Sequence, residues 1–93
     1  MMERRDRTQI QLAILYQLVV AGGKLPLHTR DGLRYRLGLH ERTLKRAVDG
    51  LERLGLVERC AKPTQRGEVD AVQLSEEASQ QLARAILAIG VLT

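Results

Sequence analysis

Basic side chains at helical spacing are the first residues of this chain that could perform recognition chemistry. Lys45 and Arg46 follow Arg42 by three and four positions in the stretch ERTLKRAVDGLERL, so a helix would carry all of them on one face. A guanidinium group can donate two parallel hydrogen bonds to an anion or to the edge of a guanine base. The pattern therefore favours an anionic partner.

The charge of the chain is unevenly distributed. The formal net charge is +4, but residues 30–66 carry ten basic and five acidic side chains. Residues 67–93 carry one basic and four acidic side chains. A basic middle beside an acidic end indicates that one face meets something anionic, and nucleic acid is the commonest such partner. A basic face that is merely solvated is the alternative.

Residues that could perform catalysis or bind a metal are sparse. Cys60 is the single cysteine, which rules out an intramolecular disulfide and fits a reducing compartment. His28 and His40 lack cysteine or carboxylate partners at zinc-ligand spacing, and no glycine-rich loop has phosphate-binding spacing. We therefore expect no enzyme, no metal and no cofactor. Cys60 is expected to be a small apolar residue on a strand, with redox sensing as the alternative.

The first predicted helix follows a charged N-terminus. Thr8 and Gln11 have the spacing of a capping box, so the helix is expected to start at Thr8, run to Ala21 and stop at the two glycines that follow. This segment loosely imitates a secretion signal. However, Glu3 and Asp6 do not suit the charged part of such a signal, and the apolar run is too short to span a bilayer. We expect a cytoplasmic helix and no membrane association.

Two further helices lie in the basic middle of the chain. After the short extended segment KLPLH, Thr29 is expected to cap a second helix that ends near Gly38. Gly32 within it costs about 1 kcal/mol of helix propensity. The third helix is predicted over residues 41–54, with Gly55 as its stop.

A hairpin and a last helix complete the predicted elements. LVERCA and VDAVQL are typical of strands, and KPTQRGE, with its proline and glycine, joins them. Ser75 is expected to cap the last helix, and the two glutamates after it suit a helix N-terminus. The whole chain, 1–93, is predicted to be one domain. Residues 1–7 would form a flexible basic arm, and residues 75–93 a C-terminal helix that could serve dimerisation.

The third helix has two distinct predicted faces, at about 100° per residue. The core face comprises Leu44, Ala47, Val48, Leu51 and Leu54. The opposite face comprises Arg42, Lys45, Arg46, Asp49 and Arg53. Asp49 stands three or four positions from its basic neighbours and can pair with them locally. A solvated charged face therefore remains the alternative to a binding face.

The neighbours of this helix make the pattern more specific. In LRYRLGLHERTLKRAVDGLERLGLVER, a short helix leads through LGLH into the amphipathic helix, and a strand follows. This stretch resembles the core of winged helix-turn-helix proteins, the broad class that contains the MarR-, PadR- and ArsR-like regulators. The matching positions are Leu37, Gly38, Leu39, Thr43, Arg46, Leu51, Glu52, Gly55, Leu56, Val57 and Arg59. His40 departs from the pattern where a Ser or Thr cap is usual, and Gly32 departs where a better helix former is usual.

The resemblance covers roughly residues 8–80 and implies both fold and function. The implied fold is mainly α with a small β-hairpin wing, and the implied function is that of a small bacterial or phage transcription regulator. It would bind specific double-stranded DNA with the third helix in the major groove and the wing loop, residues 62–68, on the backbone or in the minor groove. The implied DNA-binding residues are Arg30, Arg34, Tyr35, Arg42, Thr43, Lys45, Arg46, Lys62, Gln65 and Arg66.

Different roles are expected for these residues. Arg42 and Arg46 are expected to reach base edges, and Lys45 to contact phosphate. The residues of the preceding helix would touch the backbone and so position the protein without specifying sequence. The competing function is a winged helix that acts as a protein-interaction module, for example a phage or mobile-element protein that binds a host protein.

The terminal helices carry more apolar residues than one buried face can hold. The last helix has a predicted core stripe of Ala78, Leu82, Ala85, Ile86 and Ile89. The first helix has a core face of Ile14, Leu15, Leu18 and Val19. The apolar excess comprises Ala13, Tyr16, Val20, Leu87, Val91 and Leu92. Helices that are apolar nearly all round are usually buried nearly all round, so we expect a homodimer that pairs these helices. A frayed, exposed apolar tail is the alternative.

Overall fold

The computed structural model describes residues 6–92, without the side chains of residues 86 and 89–92. The elements are α1 (Arg7–Val20), β1 (Lys24–Pro26), α2 (Leu33–Leu37), α3 (Glu41–Arg53), β2 (Val57–Thr64), β3 (Gly67–Leu74) and α4 (Glu76–Leu92). The strands form an antiparallel sheet in the order β1-β3-β2. The predicted mainly α fold with a β-hairpin is confirmed, and the extended segment KLPLH supplies a third strand at the edge of that hairpin.

The core is aliphatic and lies between α1, α3 and the sheet. One stripe of α1, Ile10, Ile14 and Leu18, is buried. From α3 the buried residues are Leu44, Ala47, Val48 and Leu51. The prediction that Leu54 belongs to this face is wrong, because α3 ends at Arg53 and Leu54, its C-cap, is 66% exposed.

The start of α1 differs from the prediction. Asp6, not Thr8, is the N-cap: its carboxylate accepts a hydrogen bond from the Gln9 backbone N–H at 2.8 Å, and the Gln9 side chain accepts one from the Asp6 N–H at 3.3 Å. Asp6 with Gln9 and Thr8 with Gln11 both have capping-box spacing, and Asp is at least as good a cap as Thr. The Gln11 side chain serves another purpose, because its Nε2 donates to the Ala47 carbonyl of α3 at 3.4 Å.

The start of α2 also differs, and the reason is close packing. Thr29 does not cap this helix; its hydroxyl donates to the Asp31 carboxylate, and Gly32 is the N-cap. A Cβ atom on Gly32 would lie 2.7 Å from the Pro26 carbonyl oxygen. Gly32 is therefore the residue that lets α2 approach β1, and not a weak point inside a longer helix. As a consequence, α2 has five residues, and Arg30 lies in the loop before it.

The hairpin is tighter than predicted. The strands extend to Thr64 and resume at Gly67, so only Gln65 and Arg66 form the tip. The Thr64 hydroxyl donates to the Gly67 carbonyl and accepts from the Arg66 N–H, which closes the turn. The predicted loop 62–68 is therefore too long, and Lys62 lies on β2.

The beginning of α4 is anchored to the domain. Ser75 caps it as predicted: its hydroxyl accepts from the Ala78 N–H at 3.1 Å and donates to the Gly55 carbonyl at 2.8 Å. Ala78 is buried and Leu82 half-buried, but Ala85 is exposed, so the predicted core stripe is wrong at that position. The side chains of Ile86 and Ile89 lie outside the described part. Residues 83–85, Leu87 and Ala88 are exposed.

Candidate nucleic-acid interface

The turn between α2 and α3 is held by backbone geometry and by leucines on both sides. Gly38 adopts a left-handed conformation, with φ of 62°, and the Leu39 N–H donates to the Arg34 carbonyl at 3.0 Å. Leu33 is fully buried, and Leu37 and Leu39 pack against the core. His40 is the N-cap of α3 and makes no side-chain capping bond, as its departure from the usual Ser or Thr implied. The orientation of α3 therefore depends on packing more than on its cap.

The exposed face of α3 presents free guanidinium groups. Arg42, Arg46 and Arg53 are exposed, and they fall within an arc of about 40° on a helix with 100° per residue. Among residues 6–92, neither Arg42 nor Arg46 forms an ion pair with a carboxylate. A row of guanidinium groups without carboxylate partners can accept anionic or base-edge ligands without first breaking an internal pair.

A groove lies along the first turn of α3 and the facing side of α2. It has a volume of about 680 Å³. Its lining residues are Arg34, His40, Glu41, Arg42, Thr43 and Lys45. The structure thus brings together four of the predicted DNA-binding residues in one concave surface. It adds His40 and Glu41, which the sequence reasoning did not select.

A second recess adjoins the groove on the α2 side. The recess has a volume of about 260 Å³ and includes Arg34, Tyr35 and His40 in its lining. The Arg34 guanidinium lies 5.6 Å from the centroid of the Tyr35 ring, which is 58% exposed. Arg34 and His40 line both cavities, so the predicted α2 residues continue the surface formed by α3.

The remaining predicted residues lie apart from this groove. Arg30 lies in the loop before α2, and Gln65 and Arg66 form the exposed hairpin tip. Lys62 is half-buried on β2. The hydrogen bond from Thr29 lowers the pKa of Asp31, and the charge of Lys62 contributes to that shift, which indicates that Lys62 lies within electrostatic range of the Asp31 loop.

An ion-pair chain occupies the flank of α3 that faces the wing. Lys45 Nζ lies 3.2 Å from Asp49 Oδ2, Arg59 Nη2 lies 2.6 Å from Asp49 Oδ1, and Arg59 Nε lies 2.9 Å from Glu52 Oε1. Of the local pairs predicted for Asp49, the one with Lys45 is confirmed. The pairs with Arg46 and Arg53 are not formed, because Arg59 from β2 takes the other oxygen of Asp49. We call Lys45, Asp49, Arg59 and Glu52 the flank network.

The protonation of the flank network follows from its hydrogen bonds. The bonds from Arg59 and then Lys45 hold the pKa of Asp49 below its ordinary value. Burial opposes the charge of Arg59, but hydrogen bonds to Glu52 and Asp49 outweigh it and raise the pKa of Arg59. Arg59 was selected from the sequence only as part of a family pattern. The available signal was the alternation of β2, which places Arg59 on the same face as the buried Val57.

A separate apolar surface lies on the outer side of α1. Leu12, Tyr16 and Val20 are 60%, 66% and 62% exposed, and their spacing of four residues aligns them in one row, here called the apolar stripe. Ala13, which the sequence placed in the apolar excess, is half-buried, and Leu12 takes its place. On α4, Leu87 is 69% exposed. The side chains of Val91 and Leu92 lie outside the described part of the chain.

Comparison with known proteins defines the fold. No family model matches this chain, and no curated protein does. The solved structure of a transcriptional regulator homologue from Pyrococcus horikoshii OT3 superimposes with a TM-score of 0.64 and 20% sequence identity, and the match covers 90% of this chain and 79% of that chain. The fold is a winged helix-turn-helix. In this winged helix, α2 and α3 are the helix-turn-helix, and β2 and β3 are the wing.

Residues 6–92 of this winged helix contain no group of three or more His, Cys, Asp or Glu side chains that could hold a metal ion. Cys60 is a half-buried free thiol on β2. Within the same residues, none of the helices has the length and apolar character needed to cross a bilayer.

Proposed function

We propose that this winged helix binds specific sequences of double-stranded DNA as a transcriptional regulator. The observation that carries the proposal is the exposed row of Arg42, Arg46 and Arg53, opposite the buried face of α3. In a helix-turn-helix, the second helix enters the major groove with its N-terminal residues toward the bases. The P. horikoshii protein with the same fold is described as a transcriptional regulator homologue, which supports the same role.

The proposed contacts follow from the position of each side chain. Arg42 and Arg46, in the first turns of α3, read base edges, because a guanidinium makes a bidentate contact with guanine. Thr43 and Lys45 line the groove between α2 and α3 of the protein, together with Arg42, and contact base or phosphate at its rim. Arg30, Arg34 and Tyr35 contact the backbone from the α2 side. Arg53, in the last turn, extends the arginine row toward a flanking phosphate.

The wing makes the outer contacts in this proposal. Gln65 and Arg66 are exposed at the tip of the hairpin, and Lys62 lies three residues before Gln65 on β2. Contacts of this kind with phosphates or the minor groove position the protein and contribute salt-dependent affinity rather than sequence preference.

The protein acts as a twofold homodimer in this proposal. The apolar stripe of α1 and Leu87 of α4 expose large side chains, and self-association would remove them from water. Pairing through the terminal helices leaves both α3 helices exposed. Two such helices would meet half-sites about one turn of DNA apart, roughly 34 Å.

Binding-site selection from a random DNA pool, followed by a salt titration on the selected duplex, tests this function. We expect one enriched, approximately palindromic sequence. The binding constant should fall by about 0.9 logarithmic units per neutralised phosphate for each tenfold increase in salt concentration. A protein-interaction module would enrich no sequence and would show only a shallow salt dependence. That result would replace DNA binding with the interaction function.

A further inference from the structure

The charges of α3 are sorted around its axis. The arginine row lies opposite the core, whereas Glu41, Asp49 and Glu52 fall together on one flank, within an arc of about 80° at 100° per residue. That flank faces the wing, because both Asp49 and Glu52 contact Arg59 of β2. Glu41, Lys45 and Arg59 also line one cleft of about 200 Å³ between α3 and the sheet. The wing therefore meets a side of the recognition helix that carries three carboxylates and one ammonium group, that of Lys45.

Arg59 contacts both Asp49 and Glu52 on this flank, whereas Lys45 contacts Asp49. The guanidinium of Arg59 bridges two carboxylates one helical turn apart, at 2.6 Å and 2.9 Å, and its several fixed N–H donors suit such a bridge. The side chains of Arg59, Asp49 and Glu52 are 38%, 32% and 36% exposed. Solvent and salt therefore screen these pairs less than they screen a fully exposed ion pair.

The flank network also determines where Lys45 lies. Asp49 accepts from Lys45 Nζ while its other oxygen accepts from Arg59. Without Arg59, Asp49 would keep Lys45 as its partner but Glu52 would lose its ion pair, and the flank would carry more negative charge toward DNA phosphates. The ion pairs between β2 and α3 would be lost at the same time.

We propose that Arg59 is a positioning residue for DNA binding, which acts through Asp49 and Glu52 and does not itself contact DNA. The assignment rests on the proposed function. Its consequence is that the harm of losing Arg59 comes from the carboxylates that it no longer pairs. Removing those carboxylates as well should then restore binding.

Four proteins test this assignment against the wild type. They are Arg59→Gln, the pair Asp49→Asn with Glu52→Gln, the triple variant that combines all three changes, and Arg84→Gln. The last removes the same charge from the exposed surface of α4 and is the matched control. Each is titrated with the selected duplex and with random duplex across a range of salt, and each is melted thermally.

The expected pattern has a specific order. Arg59→Gln should bind both duplexes on the order of tenfold more weakly, since like charges then face the phosphates, and Arg84→Gln should change binding by less than about twofold. The carboxylate pair variant should bind random duplex at least as tightly as the wild type. The triple variant should recover to within about threefold of the wild type.

Each of the other outcomes contradicts either the positioning role of Arg59 or the proposed DNA binding. A triple variant that binds as weakly as Arg59→Gln, with the melting temperature of the wild type, means that Arg59 contacts DNA directly. Arg59→Gln with wild-type affinity means that the flank network has no role in binding. Losses that follow the melting temperature in every variant, without recovery in the triple, mean a purely structural role. A wild type that retains no duplex at low salt removes the proposed function itself, and this assignment with it.

Discussion

The helices α3 and α1 both pack one aliphatic face into the same core, but their outer faces differ. The outer face of α3 carries Arg42, Arg46 and Arg53, whereas that of α1 carries Leu12, Tyr16 and Val20. An exposed arginine is well solvated, but three aligned, exposed apolar side chains are in an unfavourable environment. The proposed function assigns a different partner to each face, DNA to α3 and a second copy of the chain to α1.

Placing charge on the apolar stripe should have the largest effect. Tyr16→Glu with Val20→Glu should give monomers and weaken binding to the selected palindrome by about a hundredfold or more. The reason is that two domains no longer joined in a dimer must bind the two half-sites independently. Light scattering and titration measure the two quantities. The control, Tyr16→Phe with Val20→Ile, keeps the stripe apolar and should remain dimeric. A wild type that is monomeric at tens of micromolar would leave α1 without its proposed partner.

Truncation of the arginine row should come next. Arg42→Ala and Arg46→Ala should each cost about 1–3 kcal/mol of affinity for the selected site and relax preference at one base position. The melting temperature should stay nearly unchanged, because both side chains are exposed. Arg42→Lys is the control that keeps the charge and loses the bidentate geometry, so it should keep affinity for random duplex. Wild-type sequence preference in both alanine variants would contradict major-groove binding by α3.

Alanine substitutions at two glycines compare a contact with rigid backbone, at Gly32, and a contact between α3 and a flexible side chain of α1, at Gly50. Gly32→Ala should lower the free energy of unfolding by about 1–3 kcal/mol, because the new Cβ meets the rigid Pro26 carbonyl at 2.7 Å. Gly50→Ala should change it by less than about 1 kcal/mol, because its Cβ meets the flexible end of Gln11, and alanine favours the helix. Chemical denaturation measures both. Equal losses of unfolding free energy in the two variants would show that the Gln11 side chain cannot move away from α3.

The wing should give the smallest change. Lys62→Ala with Arg66→Ala should weaken binding to all sequences about equally and flatten the salt slope by about one to two units. Titrations of selected and random duplex at several salt concentrations measure this. Arg66 is expected to account for most of the change, because Lys62 is half-buried near the Asp31 loop. A changed sequence preference with an unaltered slope would assign base reading to the wing.

Elements defined by neighbours along the chain could be predicted well. The boundaries of α3, its two faces, the Ser75 cap and the hairpin all follow from periodicity and turn chemistry within a few residues. The competing capping boxes at Asp6 and Thr8 show the limit of such reasoning. Both satisfy the same local pattern, and the structure selects the one that leaves Gln11 available to α3.

The sequence by itself determined which helix separates charge from apolar surface, because that separation depends only on the helical repeat. Tertiary structure alone decided the rest of the site. Gly32 is required because two backbones approach there, and β1 joins the sheet because β3 lies beside it. Arg59 reaches Asp49 from ten positions away because the chain folds the wing back on α3. Such contacts join residues from different elements, and no local pattern along the chain encodes their distance.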